Sequence, residues 1–144
     1  MKLSETIQIA RANQEWGMLV EAIPFARFLG LRIDVKGDEF TCIMPFAPKL
    51  IGNTILPALH GGATGGFLEC TSIFYLLWRM ESIAVPKTID FNVDYLRSGK
   101  SRDTFANVYM VKLGQRVANI RVEAWQSSPD KQIAVGHGNF LLSA

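Results

Sequence analysis

From residue 89 the chain alternates in character. Ile89, Phe91, Val93 and Tyr95 are apolar or aromatic, and Asp90, Asn92 and Asp94 between them are polar. Successive side chains of a strand point to opposite faces, so this stretch predicts a half-buried strand with the odd-numbered residues inward. Strand patterns recur at Thr104–Lys112, at Arg116–Gln126, where Ala118, Ile120, Val122 and Ala124 form one face, and at Gln132–Leu142. Their connections, Leu113-Gly114-Gln115 and Ser127–Asp130, are too short for crossovers and require antiparallel neighbours. Upstream, Leu31–Val35 and Phe40–Phe46 predict two further strands about a turn at Lys36-Gly37-Asp38. Pro45 marks either an edge position or an early stop for the second.

The segment from His60 to Arg79 has a different pattern. It is apolar on nearly every side, which predicts a buried helix. Between Lys49 and Arg79 the only formally charged side chain is Glu69. Gly61, Gly62, Gly65 and Gly66 each weaken an isolated helix by about 1 kcal/mol relative to Ala. They let another backbone come close, so the helix is expected to pack tightly on a sheet or on its own copy. Residues 47–59 read as a loop, broken by Pro48, Gly52, Asn53 and Pro57. Near the N-terminus Ser4 is placed to cap a helix carrying Leu3, Ile7 and Ala10 on one face. Trp16-Gly17 interrupts it, Met18–Phe28 forms a second helical stretch with Pro24 as a kink or restart, and Gly30 ends the region. Helices set apart from an antiparallel sheet make an α+β fold. Residues 1–144 read as one domain, with 1–30 as a helical cover.

Composition sharpens this. Hydrophobic residues make up 49% of the 144 and charged residues 19%, below the roughly 25% usual for soluble domains. A domain of this size buries only about 68–70% of its unfolded surface, so the apolar excess points to a partner copy or an apolar ligand. A net charge of +2, with no run of five like charges, argues against nucleic acid as a partner. Cys42 and Cys70 have neither C-x-x-C nor metal-ligand spacing and read as small buried thiols in a reducing compartment. Glu5, Arg11, Glu15 and Glu21 interrupt any signal-peptide core. The charge-free stretch Leu50–Leu68 is too broken by Gly, Pro, Asn and His to be a membrane span. The expected setting is the cytoplasm, without a membrane partner.

Two features carry candidate chemistry. Glu69, a lone carboxylate on an apolar helix, suits general-base work; the alternative is a structural Glu paired with a distant Arg or capping a loop. His60-Gly61-Gly62 opens the same helix. Free N–H groups and the positive end of the helix dipole there suit an oxyanion-type site. The alternative is a plain loop-to-helix junction with His60 as a cap or packing residue. Gly61 and Glu69 are eight residues apart, about 12 Å along a helix. A reacting atom should sit about 3 Å from both groups, so one helix cannot serve it alone. An antiparallel second copy would bring Glu69 of one chain to Gly61 of the other, which predicts a site shared across a homodimer.

Leu59-His60-Gly61-Gly62-Ala63, then Glu69, then Ile89-Asp90-Phe91-Asn92-Val93-Asp94-Tyr95-Leu96-Arg97 together resemble the hotdog-fold acyl-CoA thioesterases of the phenylacetate-pathway (PaaI-like) type. Gly114-Gln115-Arg116 and Ala134-Val135-Gly136-His137-Gly138 also fit. The resemblance implies a long central helix wrapped by a curved antiparallel sheet of five to six strands, and dimers, or dimers of dimers, with continuous sheets. It implies hydrolysis of an acyl-CoA at the dimer interface without metal or other cofactor, coenzyme A being part of the substrate. By position it makes Gly61 the amide that polarises the thioester carbonyl, with Gly62 beside it. Glu69 becomes the nucleophile or the base for water, and His60 a supporting residue. Family members often carry Asn six residues before the His; here that position is Thr54, and Asn53 precedes it, with Pro57 as the mark of a one-residue insertion. Arg97 and Lys100, then Arg116, are the candidate cations for the coenzyme A phosphates. Phe67, Phe74, Tyr75 and Trp78 are candidates to line an acyl or aryl pocket or, for most of them, to fill the core. Two other readings stay open: a hydroxyacyl-thioester dehydratase using His60 as acid and base, and a non-catalytic acyl-CoA-binding module.

Overall fold

A computed structural model describes residues 1–142. Three helices come first: α1 (Leu3–Asn13), α2 (Gly17–Ala22) and α3 (Pro24–Leu29). Strands β1 (Arg32–Lys36) and β2 (Glu39–Met44) follow, then a 3-10 turn at Pro48–Leu50 and a small hairpin of β3 (Ile51–Asn53) and β4 (Ala58–Leu59). The long helix α4 spans Gly61–Arg79. Strands β5 (Lys87–Tyr95), β6 (Thr104–Leu113), β7 (Val117–Trp125) and β8 (Gln132–Leu141) complete the chain. The six long strands form one antiparallel sheet in the order β1-β2-β6-β7-β8-β5. This is the α+β, hotdog-type arrangement expected from the sequence.

The core forms where α4 lies on the sheet. Ala118, Ile120, Val122 and Ala124 of β7 are fully buried, as the alternation predicts, and face Phe67, Leu68, Phe74, Leu76 and Leu77 of the helix. Each large apolar side chain buried there contributes about 1.5–3 kcal/mol. The buried hydroxyls of Thr71 and Ser72 donate back to the Phe67 and Leu68 carbonyls at 2.7 and 2.9 Å, so α4 can be enclosed without stranding polar groups.

Some local expectations need correction. Ser4 lies inside the first turn of α1; Lys2 holds the N-cap position and makes no side-chain capping bond. The stretch Met18–Phe28 is two helices. Pro24 restricts Ile23 to an extended conformation (φ −109°, ψ 108°) and takes the first helical position of α3, where its missing N–H costs nothing. Gly30, at φ +72°, closes α3 in the left-handed region. Pro45 acts as a stop, since β2 ends at Met44 and is not an edge strand. Residues 47–59 are not plain loop: the β3–β4 hairpin lies there, tied to the loop after β5 by Leu59 N–H donating to the Gly99 carbonyl at 2.9 Å. A Cβ on Gly99 would stand 2.8 Å from Leu59 Cδ1, so a side chain here would push the Leu59 side chain aside.

The sheet has two edges, β1 and β5. Strand β5 is nine residues long, and its free edge carries Ile89 at 55% exposure. An open edge of that length is a template for pairing with another chain. Among the described residues, no helix is long and apolar enough to cross a membrane.

Arg11 of α1 pins the cover to the helix end. Its guanidinium donates to the Leu77 carbonyl at 2.8 Å and the Ser82 carbonyl at 2.6 Å, placing a cation at the negative end of α4. Replacing it with Met (Arg11→Met) should remove about 1.5–3 kcal/mol of stability, the usual range for hydrogen bonds to a charged group. Urea denaturation followed by circular dichroism measures this, and an unchanged midpoint would show that the cover is held by apolar packing alone.

Candidate active site

Glu69 is half-buried on the flank of α4 beside β5. Its Oε2 accepts a hydrogen bond from the Thr88 hydroxyl at 2.6 Å. No basic side chain among the described residues pairs with it. Thr88 faces the helix because of a bulge. In the register with β8, Thr88 pairs with Phe140 and Asp90 with Asn139, which leaves Ile89 as the extra residue. The bulge turns Ile89 out to solvent and Thr88 in, against the simple alternation; Phe91 and Val93 then point inward as expected. Bulges re-aim side chains in this way next to functional sites. Sequence reasoning missed Thr88 because the strict period of two placed it outward.

At the other end of β5 lies the start of α4. His60 is its N-cap, and His60 Nδ1 accepts from Gly62 N–H at 2.9 Å. That bond assigns the ring proton to Nε2 in the neutral tautomer and makes His60 a capping residue. The Gly62 amide is thereby occupied. The Gly61 N–H has no acceptor among the described residues and remains at the positive end of the helix. The Tyr95 hydroxyl donates to the Gly61 carbonyl at 2.6 Å, holding the Gly61–Gly62 peptide, next to the one that carries the free N–H, from the far end of β5. Tyr95 belonged to the sequence motif, but nothing in the motif assigned it this contact.

An open cleft of about 380 Å³ sits over Gly61, walled by Ala58, Leu59 and Thr64 on one side and by Tyr95, Arg97 and Ser98 on the other. Arg97 also borders a neighbouring recess of about 250 Å³ with Lys100, Arg102 and Lys131. None of these four cations is in an ion pair among the described residues. Arg102 lies two residues after Lys100 in the same connection between β5 and β6, whereas Lys131 comes from the β7–β8 loop and only the fold brings it beside the other three. Arg116 is elsewhere, in a cleft with Lys112 and Asn119 near the start of β7.

Asn53 is at the tip of the β3–β4 hairpin. Its Oδ1 accepts from the Ile55 and Leu56 N–H groups at 2.9 and 3.1 Å, a turn-forming role. Phe67 and Phe74 are core residues. Tyr75 and Trp78 pack with Phe40, six and nine residues beyond Glu69 on the helix. The thiol of Cys70, next to Glu69, is pushed up to about 12 by burial and then by the Glu69 charge. It stays protonated at neutral pH and is no thiolate nucleophile. No cluster of three or more His, Cys, Asp or Glu side chains suited to a metal occurs among the described residues.

Comparison with known proteins agrees with this architecture. The family model of the Thioesterase superfamily matches residues 56–133, which includes both Gly61 and Glu69. The medium/long-chain acyl-CoA thioesterase YigI of Escherichia coli K12 is 31% identical over 120 residues, covering 74% of this chain and 77% of its own. A crystal structure from Chromobacterium violaceum superposes with a TM-score of 0.80 at 34% identity, covering 96% of this chain and 97% of that one. A phenylacetic acid degradation-related protein of Ralstonia eutropha shares the fold at a TM-score of 0.74 and 16% identity, covering 88% and 98%. The chain belongs to the thioesterase superfamily.

Proposed function

We propose that this thioesterase hydrolyses acyl-CoA to the free acid and coenzyme A, at a site completed by a second copy of the chain. One observation carries the proposal: Glu69 and the free Gly61 N–H flank opposite ends of β5, whose edge is open. If that edge pairs antiparallel with its copy, the Thr88 end of one strand lies across from the Tyr95 end of the other. Glu69 then stands beside Gly61 of the partner subunit, which closes the gap of about 12 Å that separates them along one helix. Such pairing also covers Ile89. Symmetric pairing of this kind is the commonest form of oligomer.

The chemistry follows from the two groups. Glu69 drives attack on the thioester carbonyl, as a base for water or as the nucleophile itself. Either route charges the carbonyl oxygen, and the Gly61 N–H stabilises that charge. When Glu69 acts as base, it takes a proton from water as the hydroxyl adds to the carbonyl, and passes that proton to the sulfur as the carbon–sulfur bond breaks. When it acts as nucleophile, the carbon–sulfur bond breaks to leave a Glu69 anhydride and a thiolate; water then hydrolyses the anhydride to the free acid and the restored carboxylate, and the proton released goes to the thiolate. The Thr88 hydroxyl holds Oε2, leaving the other carboxylate oxygen to work. Arg97, Lys100, Arg102 and Lys131 offer charge-assisted hydrogen bonds to the phosphates of coenzyme A. The activity of YigI on medium- and long-chain acyl-CoA supports an aliphatic acyl group here. His60, held as a cap through Nδ1, is poorly placed for the proton transfers a dehydratase requires.

Glu69→Gln should lower kcat about a hundredfold or more, the usual loss on removing a general base. Gly61→Pro removes the N–H at a helix position that tolerates proline, after a His60 already in a compatible conformation (φ −65°, ψ 130°). It should cost about 100–1,000-fold in kcat, as for other lost oxyanion donors. Mixing the two variants under subunit exchange should restore about a quarter of wild-type activity, because half of the random dimers carry one intact site. No recovery despite demonstrated exchange would refute the shared site.

Thr88→Val should lower kcat about tenfold with little change in KM, and Thr88→Ser should restore it. An unaltered kcat in the Val variant would mean that the carboxylate needs no such support. Reversing Arg102 and Lys131 to Glu should raise KM for acyl-CoA about tenfold, as should added salt in the wild type. A short acyl-cysteamine thioester, which has no phosphates, should be indifferent to both. Equal effects on the two substrates would disconnect the basic recess from coenzyme A.

A further inference from the structure

Beyond Glu69, toward the C-terminal end of α4, lies an apolar slot of about 350 Å³. Ala22, Ile23 and Pro24, at the corner between α2 and α3, form one wall, and Cys70, Ile73 and Phe74 of α4 form the other. Volumes of this order, from about 300 Å³, are typical of small-ligand sites. We propose that this slot holds the tail of a straight-chain, medium or long aliphatic acyl group whose carbonyl is presented to Glu69. The inference rests on the acyl-CoA reading and adds a location and a selectivity to it.

Glu69 is not itself in the lining, but the lining approaches it from two directions along the chain. Cys70 follows Glu69 directly, and the charge of Glu69 reaches its thiol. Val85, also in the lining, lies three residues before Thr88, the hydrogen-bond partner of Glu69. Ile73 is one turn beyond Glu69, about 6 Å along the helix. The opposite direction is blocked. Phe25 of α3 lies against α4 one turn before Glu69, where a Cβ on Gly66 would meet its ring at 2.6 Å. An apolar chain leaving Glu69 along the helix therefore meets an aromatic ring one way and the slot the other.

The chemistry of the lining selects the occupant. All its side chains are apolar apart from one protonated thiol, so a hydroxylated or charged acyl group would lose its hydrogen bonds on entry. A polymethylene tail loses nothing, and each methylene buried should improve transition-state binding about fourfold. The N-terminal helices thus become a specificity element, which gives the cover a role beyond packing.

The test is a series of straight-chain acyl-CoA substrates from butyryl to palmitoyl, with wild type, Ala22→Phe and Ile73→Ala, each checked for folding by thermal melting. In the wild type kcat/KM should climb about fourfold per methylene until the slot is filled. Ala22→Phe should cut the ratio of long- to short-chain kcat/KM at least tenfold, and Ile73→Ala should move the optimum to longer chains. A folded Ala22→Phe enzyme with the wild-type chain-length profile overturns the slot while leaving the thioesterase reading intact. If Ala22→Phe fails to fold, Ile73→Ala decides, and an unmoved optimum overturns the slot. If the wild type cleaves no acyl-CoA at all, the thioesterase reading fails, and binding of the fluorescent fatty acid cis-parinarate decides the slot. Binding that dodecanoate displaces and that Ala22→Phe, or Ile73→Ala if that variant misfolds, alters at least tenfold supports it. Absent or unaltered binding overturns it.

Discussion

A nineteen-residue helix with a single charged side chain before its last residue has to be covered on every side. Most other features of this protein answer that constraint. The sheet covers one face of α4 through the small and β-branched residues of β7. The N-terminal helices cover another, pinned by Arg11 to the helix end. The remaining flank lies along the open edge of β5, and there the one carboxylate is kept, half-buried, on a threonine hydroxyl. The apolar excess of the composition is thus distributed between a closed core and surfaces still to be covered.

Small backbone devices then place the candidate groups. A one-residue bulge turns Thr88 toward Glu69 and Ile89 away. An N-cap histidine consumes one glycine amide and leaves its neighbour at the helix terminus. A tyrosine at the end of β5 holds the Gly61 carbonyl, on the peptide that follows the free N–H. None of these is a strong interaction alone. Together they hold an acid and a hydrogen-bond donor at the two ends of one strand, so the geometry of that strand's pairing governs whether they meet.

The cover has a comparable double use. Pro24 begins α3 by restricting Ile23, and the resulting corner forms one wall of the apolar slot. The next residue, Phe25, lies on α4 at Gly66. The break between two short helices therefore fixes both the open and the blocked direction along the helix from Glu69.

Much of the architecture was legible in the chain. The period of two in β5 to β8 and the unbroken apolar run of α4 define the elements, because the burial of one face leaves its mark on every second residue or on the whole helix. The candidates Glu69 and Gly61 were legible too, since a lone charge in an apolar helix and glycines at its start are conspicuous. Thr88 was not, because a bulge breaks the period that made the strand readable. Arg102, two residues after Lys100 in the same connection, was within reach of the sequence and was passed over; Lys131 was not, because a separate loop brings it to Arg97 and Lys100 without any sequence spacing to announce it, while Arg116 folds to another surface. Local periodicity is written by burial and can be read residue by residue. Which side chains converge is decided by register, loop paths and edges, and these exist only once distant parts of the chain have packed together.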